Sequence, residues 1–393
     1  MNTLFDKAPQ RRGSGCVKWD CEEARDAIPM WVADMDFEVA PPITEALLRR
    51  VRHGVFGYTH VPEAYYDAII RWFDERHQWL IQRDWIQYTT GVVPALSAVV
   101  KALTTPGDKV LIQTPVYNCF FSSIRNNGCV VTENPLLLGE DGSYSIDFDD
   151  LERKAADPAV SMLVFCNPHN PAGRVWTPDE MERVNDICLR HGVCVVADEI
   201  HCELVMPGFR YTPFASVSQA CLDNSITLSS PSKSFNTAGL QVANIICNNP
   251  ERRQRIDRAI NINEVCDVNP FGVEALIAAY NEGGSWIDSL CQYLAGNYAL
   301  LREFFAQHLP QVRITPLEGT YLVWADIRPL GLGSDEATRL ILEEGKVLVN
   351  SGTMYGPEAG EGFIRINIAC PQSQLLLALN SICQVLARHG QLS

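Results

Sequence analysis

Ser225-Ile226-Thr227-Leu228-Ser229-Ser230-Pro231-Ser232-Lys233-Ser234-Phe235-Asn236-Thr237-Ala238-Gly239-Leu240 reads as a short apolar strand running out into a turn of small hydroxylated residues with one lysine at its centre. A further apolar run, Ala238 to Ile246, follows. A lysine held between two such runs is short of water. Desolvation disfavours the ammonium form and lowers the pKa, which is what a Schiff-base lysine requires. A lysine on a solvated loop is the commoner occurrence, so the meaning of Lys233 depends on what the rest of the chain brings to it.

Outward from this stretch, the middle of the chain alternates apolar runs with helical patterns. Lys109 to Gln113 ends at Thr114-Pro115-Val116-Tyr117, Val160 to Cys166 ends at Asn167-Pro168-His169-Asn170-Pro171-Ala172-Gly173, and Val193 to Ala197 ends at Asp198-Glu199-Ile200-His201. Continuous apolar strands separated by helices predict an α/β fold with a mostly parallel sheet covered on both faces. Ligands of such sheets lie beyond the carboxyl ends of the strands. Tyr117, Asn170, Asp198 and Lys233 all fall just past strand ends, so the pattern predicts that they share one crevice. Upstream, Ile86 to Thr89 leads into Gly91-Val92-Val93-Pro94 and a helical pattern from Ala95 to Leu103. That turn leaves backbone N–H groups free at a helix start, a ready phosphate site, although many α/β turns have the same form.

At 393 residues the chain is long enough for two domains. Hydrophobic residues make up 47% and charged residues 20%, as in a folded soluble enzyme, and the net charge of −15 argues against a nucleic-acid surface. The 14 cysteines include no C-x-x-C pair and several sit in apolar runs, which predicts reduced, buried thiols rather than disulfides or a metal site, and hence a cytoplasmic location. No apolar run approaches the roughly 20 residues of a membrane span, and Met1 to Gly15 has no apolar core of a signal peptide. Residues 1 to 40 read as irregular, followed by a helix from about Ile43 to His53. From Phe271 a helical pattern runs to about Leu309, broken at Gly283-Gly284. The final third, with strands near Val312 to Thr315, Thr320 to Trp324, Val347 to Val349 and Phe363 to Ile368, reads as a smaller α+β domain.

The chemistry can be narrowed by counting. Of seven lysines, Lys7 and Lys18 lie in the irregular N-terminus, Lys101 and Lys154 in helical patterns, Lys109 before a strand and Lys346 in a charged turn; only Lys233 follows a strand beside hydroxyls that could hold a phosphate. Asp198 could pair with the pyridine nitrogen of pyridoxal phosphate, or equally cap a helix or form a structural salt bridge. Tyr117 could stack on the cofactor ring or simply pack. Asn170 could donate to the cofactor's phenolate oxygen or serve as a turn residue, and His201 could reach the same oxygen or be structural. Arg365, in Phe363-Ile364-Arg365-Ile366-Asn367-Ile368, is a cation on an otherwise core-like strand, suited to a bidentate clamp on an α-carboxylate or to a structural ion pair.

The order of these motifs, with Ser230-Pro231-Ser232-Lys233, resembles fold type I pyridoxal phosphate enzymes of the class I/II aminotransferase superfamily. Pro29-Met30-Trp31-Val32-Ala33-Asp34-Met35-Asp36-Phe37, Phe56-Gly57-Tyr58-Thr59, Ser232 to Leu240 and Glu318-Gly319-Thr320-Tyr321-Leu322-Val323-Trp324 are similar to signatures of the MalY/PatB group of cystathionine β-lyases. The resemblance implies Lys233 as Schiff-base and catalytic lysine, and Gly91, Val92, Val93, Tyr117, Asn170, Asp198, His201, Ser230 and Ser232 as cofactor-binding residues. It also implies Arg365 as substrate clamp and Tyr58 as a residue that crosses a homodimer interface to the neighbouring subunit's phosphate. Gln241 departs from the wider pattern, which has an arginine there. The implied organisation is an N-terminal arm (1–42), a large cofactor domain (43–282) and a small C-terminal domain (283–393). The implied activity is a carbon–sulfur β-lyase giving thiol, pyruvate and ammonia, with an aminotransferase, or a regulator keeping the fold, as the alternatives. No metal, nucleic acid or membrane partner is expected.

Overall fold

The computed structural model describes residues 3–262 and 267–390, so the outermost ends of the expected arm and small domain lie outside the described residues. Its centre is a seven-stranded sheet. In spatial order the strands are Ile86–Thr89, Ala243–Ile246, Ser225–Ser229, Cys194–Asp198, Val160–Cys166, Lys109–Ile112 and Val130–Glu133. Ala243–Ile246 runs antiparallel to both its neighbours, and the other neighbouring pairs are parallel. The expected mostly parallel sheet is therefore present with one reversed strand. After the Lys233 turn the chain doubles back beside the strand it has just left, instead of crossing over through a helix.

The continuous apolar runs have a direct structural reason. Strands cover alternate faces with alternate residues, and both faces here are covered. Met162, Val164, Val196 and Leu228 pack with Leu96, Val99, Val100, Phe120 and Ile256, which come from helices Val92–Leu103, Cys119–Asn126 and Pro250–Asn261. Leu163, Phe165, Val195 and Ala197 face the other way, onto Leu151, Met181, Val184 and Cys188 of helices Phe148–Ala155 and Pro178–Arg190. The latter helix starts at a full capping box, with Thr177 accepting from Glu180 N and Glu180 accepting from Thr177 N.

Helix Pro270–Glu282 ends at Gly283, and helix Gly284–His308 then carries the chain about 38 Å over 25 residues. It leads to a four-stranded antiparallel sheet ordered Arg313–Ile314, Leu322–Asp326, Phe363–Asn367, Asn350–Ser351. The register sets Arg365 between Trp324 on one side and Asn350 on the other. The first forty residues are more ordered than their composition predicts. Ile28–Pro29 pairs in parallel with Val347–Leu348, and a short helix, Val17–Asp20, buries Lys18 against Asp36. The expectation that Lys18 lies in an irregular arm is corrected accordingly: an ion pair at 3.0 Å removes it from water, with no apolar run to announce it. Among the described residues no helix is long and apolar enough to cross a membrane.

Candidate active site

The carboxyl ends of the central strands and one face of the small sheet enclose a cavity of about 370 Å³. Gly91, Val92, Val93, Tyr117, Asn170, Asp198, His201, Ser232, Lys233 and Arg365 line it, so residues far apart in the sequence meet at one place. Two of the residues singled out from sequence lie elsewhere. Ser230 is buried with its hydroxyl donating to Val242 O at 2.6 Å and accepting from Ser232 N at 3.1 Å, which shapes the turn below Lys233. Tyr58 is 97% exposed on this chain.

Lys233 is partly buried, and its amine points inward, donating to Ala33 O at 2.6 Å. Loss of water pulls its pKa down to about 8; Arg365 pushes in the same direction, while Asp34 and Asp198 oppose. Asp198 closes strand Cys194–Asp198 and accepts from Ile200 N at 3.2 Å. Burial pushes its carboxyl up to about 7, with Lys233 pulling the other way. A cation placed against it would bring that value down again. His201 is held neutral at about 3 by burial, with Lys233 and Arg365 adding to the effect.

Arg365 ties three separate parts of the chain together. Its Nη1 donates to Asn170 Oδ1 at 3.2 Å, its Nη2 donates to Trp31 O at 2.7 Å, and its guanidinium lies over the Tyr355 ring at 4.8 Å from the centroid. The residue is 3% exposed. The structural ion pair that the sequence left open for it is absent among the described residues. Two buried polar atoms of cavity-lining residues, Arg365 Nε and His201 Nδ1, have no protein partner. At the other end, helix Val92–Leu103 begins at Gly91 with no side chain capping it. Its first N–H groups, on cavity-lining Val92 and Val93, are open to an anion. The helix starts three residues before the expected Ala95, because Pro94 fits within the first turn.

Several lining residues were not singled out individually from sequence. Trp31, Val32 and Ala33 stood only within a quoted signature; an apolar run ending in two aspartates was the available signal. Thr90, Cys119, Asn350 and Tyr355 also line the cavity, and nothing local in the sequence marks them. Gln241 lines it too, at φ +52, a left-handed conformation uncommon for a residue with a side chain. Asn367, two residues after Arg365, donates to Val32 O at 2.7 Å and Asp34 O at 2.8 Å; an amide within an apolar strand could have drawn attention to it. No group of three or more His, Cys, Asp or Glu side chains among the described residues could hold a metal ion.

Comparisons with known proteins agree with this geometry. Cystathionine beta-lyase PatB of Bacillus subtilis (strain 168) is 43% identical over 382 residues, covering 96% of this chain and 98% of PatB. Cystalysin from Treponema denticola, whose crystal structure contains pyridoxal 5'-phosphate, superposes with a TM-score of 0.94 at 36% identity, covering 98% of each chain. The PLP-bound C-S lyase from Staphylococcus hominis superposes at 0.91 with 31% identity, covering 99% of this chain and 100% of that one. Since the family model for aminotransferase class I and II also matches residues 26–382, nearly the whole of the described structure, the chain belongs to the class I and II aminotransferase family, as a member similar in sequence and fold to carbon–sulfur lyases.

Proposed function

We propose that this chain is a pyridoxal phosphate-dependent carbon–sulfur β-lyase that converts L-cystathionine or a related cysteine S-conjugate, with water, to a thiol, pyruvate and ammonia. The observation that carries the reading is the amine of Lys233, held near pKa 8 in one cavity with a buried carboxyl and an arginine whose Nε has no partner. Relatives named as cystathionine β-lyase or C-S lyase along their full length support it.

The residues fit the cofactor. Asp198 is a buried carboxyl lacking a cation in hydrogen-bonding contact, suited to a ring nitrogen; Val92 and Val93 offer N–H groups to the phosphate, beside Ser232; and Tyr117 offers a ring face. Asn170 and His201 stand on the same cavity wall as candidates for the cofactor's ring oxygen. Bound there, pyridoxal phosphate supplies an electron sink for the pair released at the substrate's Cα. Lys233 both anchors the cofactor and, once displaced, takes the Cα proton; an amine near pKa 8 is substantially neutral at mildly alkaline pH, as a base must be. Arg365 binds the α-carboxylate, and its contacts with Asn170 and Trp31 O hold the guanidinium in orientation before substrate arrives.

The proposal extends to assembly and location. Exposed Tyr58, with half-exposed Val55 and Phe56 beside it, supports a homodimer in which Tyr58 serves the neighbouring subunit's phosphate. Among the described residues thirteen cysteines are free thiols, nine of them buried, which supports a reducing cytoplasmic setting. The pairing of Ile28–Pro29 with Val347–Leu348 supports grouping the arm, 1–42, with the small domain, 283–393, apart from the large domain, 43–282.

Incubation of the purified protein with cystathionine and no 2-oxo acid tests the reaction. Equal amounts of pyruvate and free thiol are expected. Turnover that requires a 2-oxo acid would make the protein an aminotransferase and overturn the lyase reading. Borohydride reduction followed by peptide mapping tests the anchor, with the cofactor expected on Lys233.

A further inference from the structure

The segment Trp31 to Phe37 borders the cavity without regular structure, so its backbone polar groups depend on partners from elsewhere. On the cavity side, Lys233 Nζ and Tyr321 Oη both donate to Ala33 O, at 2.6 and 3.0 Å. On the far side, the next residue is gripped by cations. Arg11 binds the Asp34 carboxylate with both terminal nitrogens, at 3.0 and 2.7 Å, and reaches Asp36 at 2.8 Å. Lys18 donates to Asp34 O at 3.2 Å, lies 3.6 Å from Asp34 Oδ1 and pairs with Asp36 at 3.0 Å. Lys18 is 1% exposed and Asp36 is fully buried. A buried ion pair is a poor source of net stability. What this cluster achieves geometrically is to fix one carboxylate, Asp34, directly beside the acceptor of the Lys233 amine.

The other charged or titratable groups facing Lys233 are Asp198 from the large sheet, Arg365 from the small one, and His201, Tyr117 and Cys119 from the cavity wall. Arg365 and burial drive the proton off Lys233, whereas Asp34 and Asp198 retain it. Asp198 is the group that a cofactor ring nitrogen would occupy, which leaves Asp34 as the carboxylate still available to the amine.

We propose that Asp34 is a positioning residue for Lys233: clamped by Arg11 and Lys18, it seats the Ala33 carbonyl on the amine and, through its own charge, sets how readily Lys233 holds the proton it takes from substrate. Arg11 is the counterweight, since it neutralises part of that charge. The inference rests on the reading of Lys233 as the anchoring lysine.

The test uses the full-length protein freed of cofactor. The rate of Lys233 acetylation by acetic anhydride is followed by mass spectrometry of its peptide across a neutral-to-alkaline pH series, and the midpoint reports the amine's proton affinity. Asp34→Asn is expected to move the midpoint down by about one pH unit, since the Asp34 charge favours the protonated amine, and Arg11→Met to move it up by about one, since it removes the cation paired with that charge. Mere opening of the segment would rehydrate the amine and send both variants up towards the ordinary lysine value. Two shifts of the same sign, or superimposable profiles, overturn the proposal. If Asp34→Asn does not fold, Arg11→Met is read in low and high salt: a rise abolished by salt supports the proposal, and one that salt leaves intact overturns it. Borohydride mapping of the cofactor to another lysine, with the opposed shifts intact, would refute the reading of function while leaving this placement standing.

Discussion

Arg365 Nη1 donates to Asn170 Oδ1 across 3.2 Å, joining an inner strand of the small sheet to the turn that follows strand Val160–Cys166 of the large one. The guanidinium is thereby oriented without a carboxylate partner among the described residues, and its Nε has no protein partner. Arg365→Lys keeps the charge and loses the fork, and removing a charge-assisted bidentate contact costs roughly 1.5–3 kcal/mol. A 10- to 100-fold fall in kcat/KM, carried mainly by KM, is the expected outcome in steady-state assays with cystathionine. An unchanged KM would remove Arg365 from the substrate's carboxylate.

Asp198 governs a pH dependence whose sign can be worked out. Its carboxyl titrates near 7 when folded and near 4 when unfolded, so the folded cofactor-free protein holds the extra proton between those values. Stability from this group is complete below the unfolded value and is lost as pH rises through about 7. Asp198→Asn removes the penalty and is expected to raise the Tm of the cofactor-free protein at pH values above 7, by an amount equivalent to at most about 4 kcal/mol, while weakening cofactor retention. Thermal scans of both forms at acid and alkaline pH check this; a Tm difference independent of pH would contradict it.

Tyr58→Phe removes only a hydroxyl that is wholly exposed on this chain. The isolated fold should not register it, and a stability change within about 0.5 kcal/mol is expected. If the hydroxyl serves a neighbouring subunit, cofactor dissociation measured on gel-filtered protein should quicken severalfold. Unchanged retention would leave Tyr58 without the role proposed for it.

Gly319 lies where three parts of the chain meet. A Cβ added there would stand 2.9 Å from Pro168 Cβ, 2.9 Å from Val175 Cγ2 and 3.1 Å from Leu204 O. Since two of these neighbours are a proline ring and a backbone carbonyl, the structure has little room to yield, and Gly319→Ala is expected to cost about 1–3 kcal/mol. Denaturant unfolding with an unchanged m-value and a lower midpoint is the expected signature.

The layered α/β fold was legible because both faces of the large sheet are buried. Strands such as Val160–Cys166 and Cys194–Asp198 consequently appear as largely apolar runs, whose polar exits marked Tyr117, Asn170, Asp198 and Lys233. The reversal of Ala243–Ile246 was not legible, since an apolar run carries no sign of its direction. Nor was the burial of Lys18, whose partner, Asp36, lies eighteen residues away.

By itself, then, the order of residues determined which side chains could carry the chemistry, because a strand's end is a local event and a lysine among hydroxyls is visible one residue at a time. The tertiary structure alone decided which of them meet. Ala33 O on the Lys233 amine spans 200 positions, and Trp31 O on Arg365 spans 334. Contacts of that separation depend on how two sheets and an irregular segment pack together, and no local pattern encodes them.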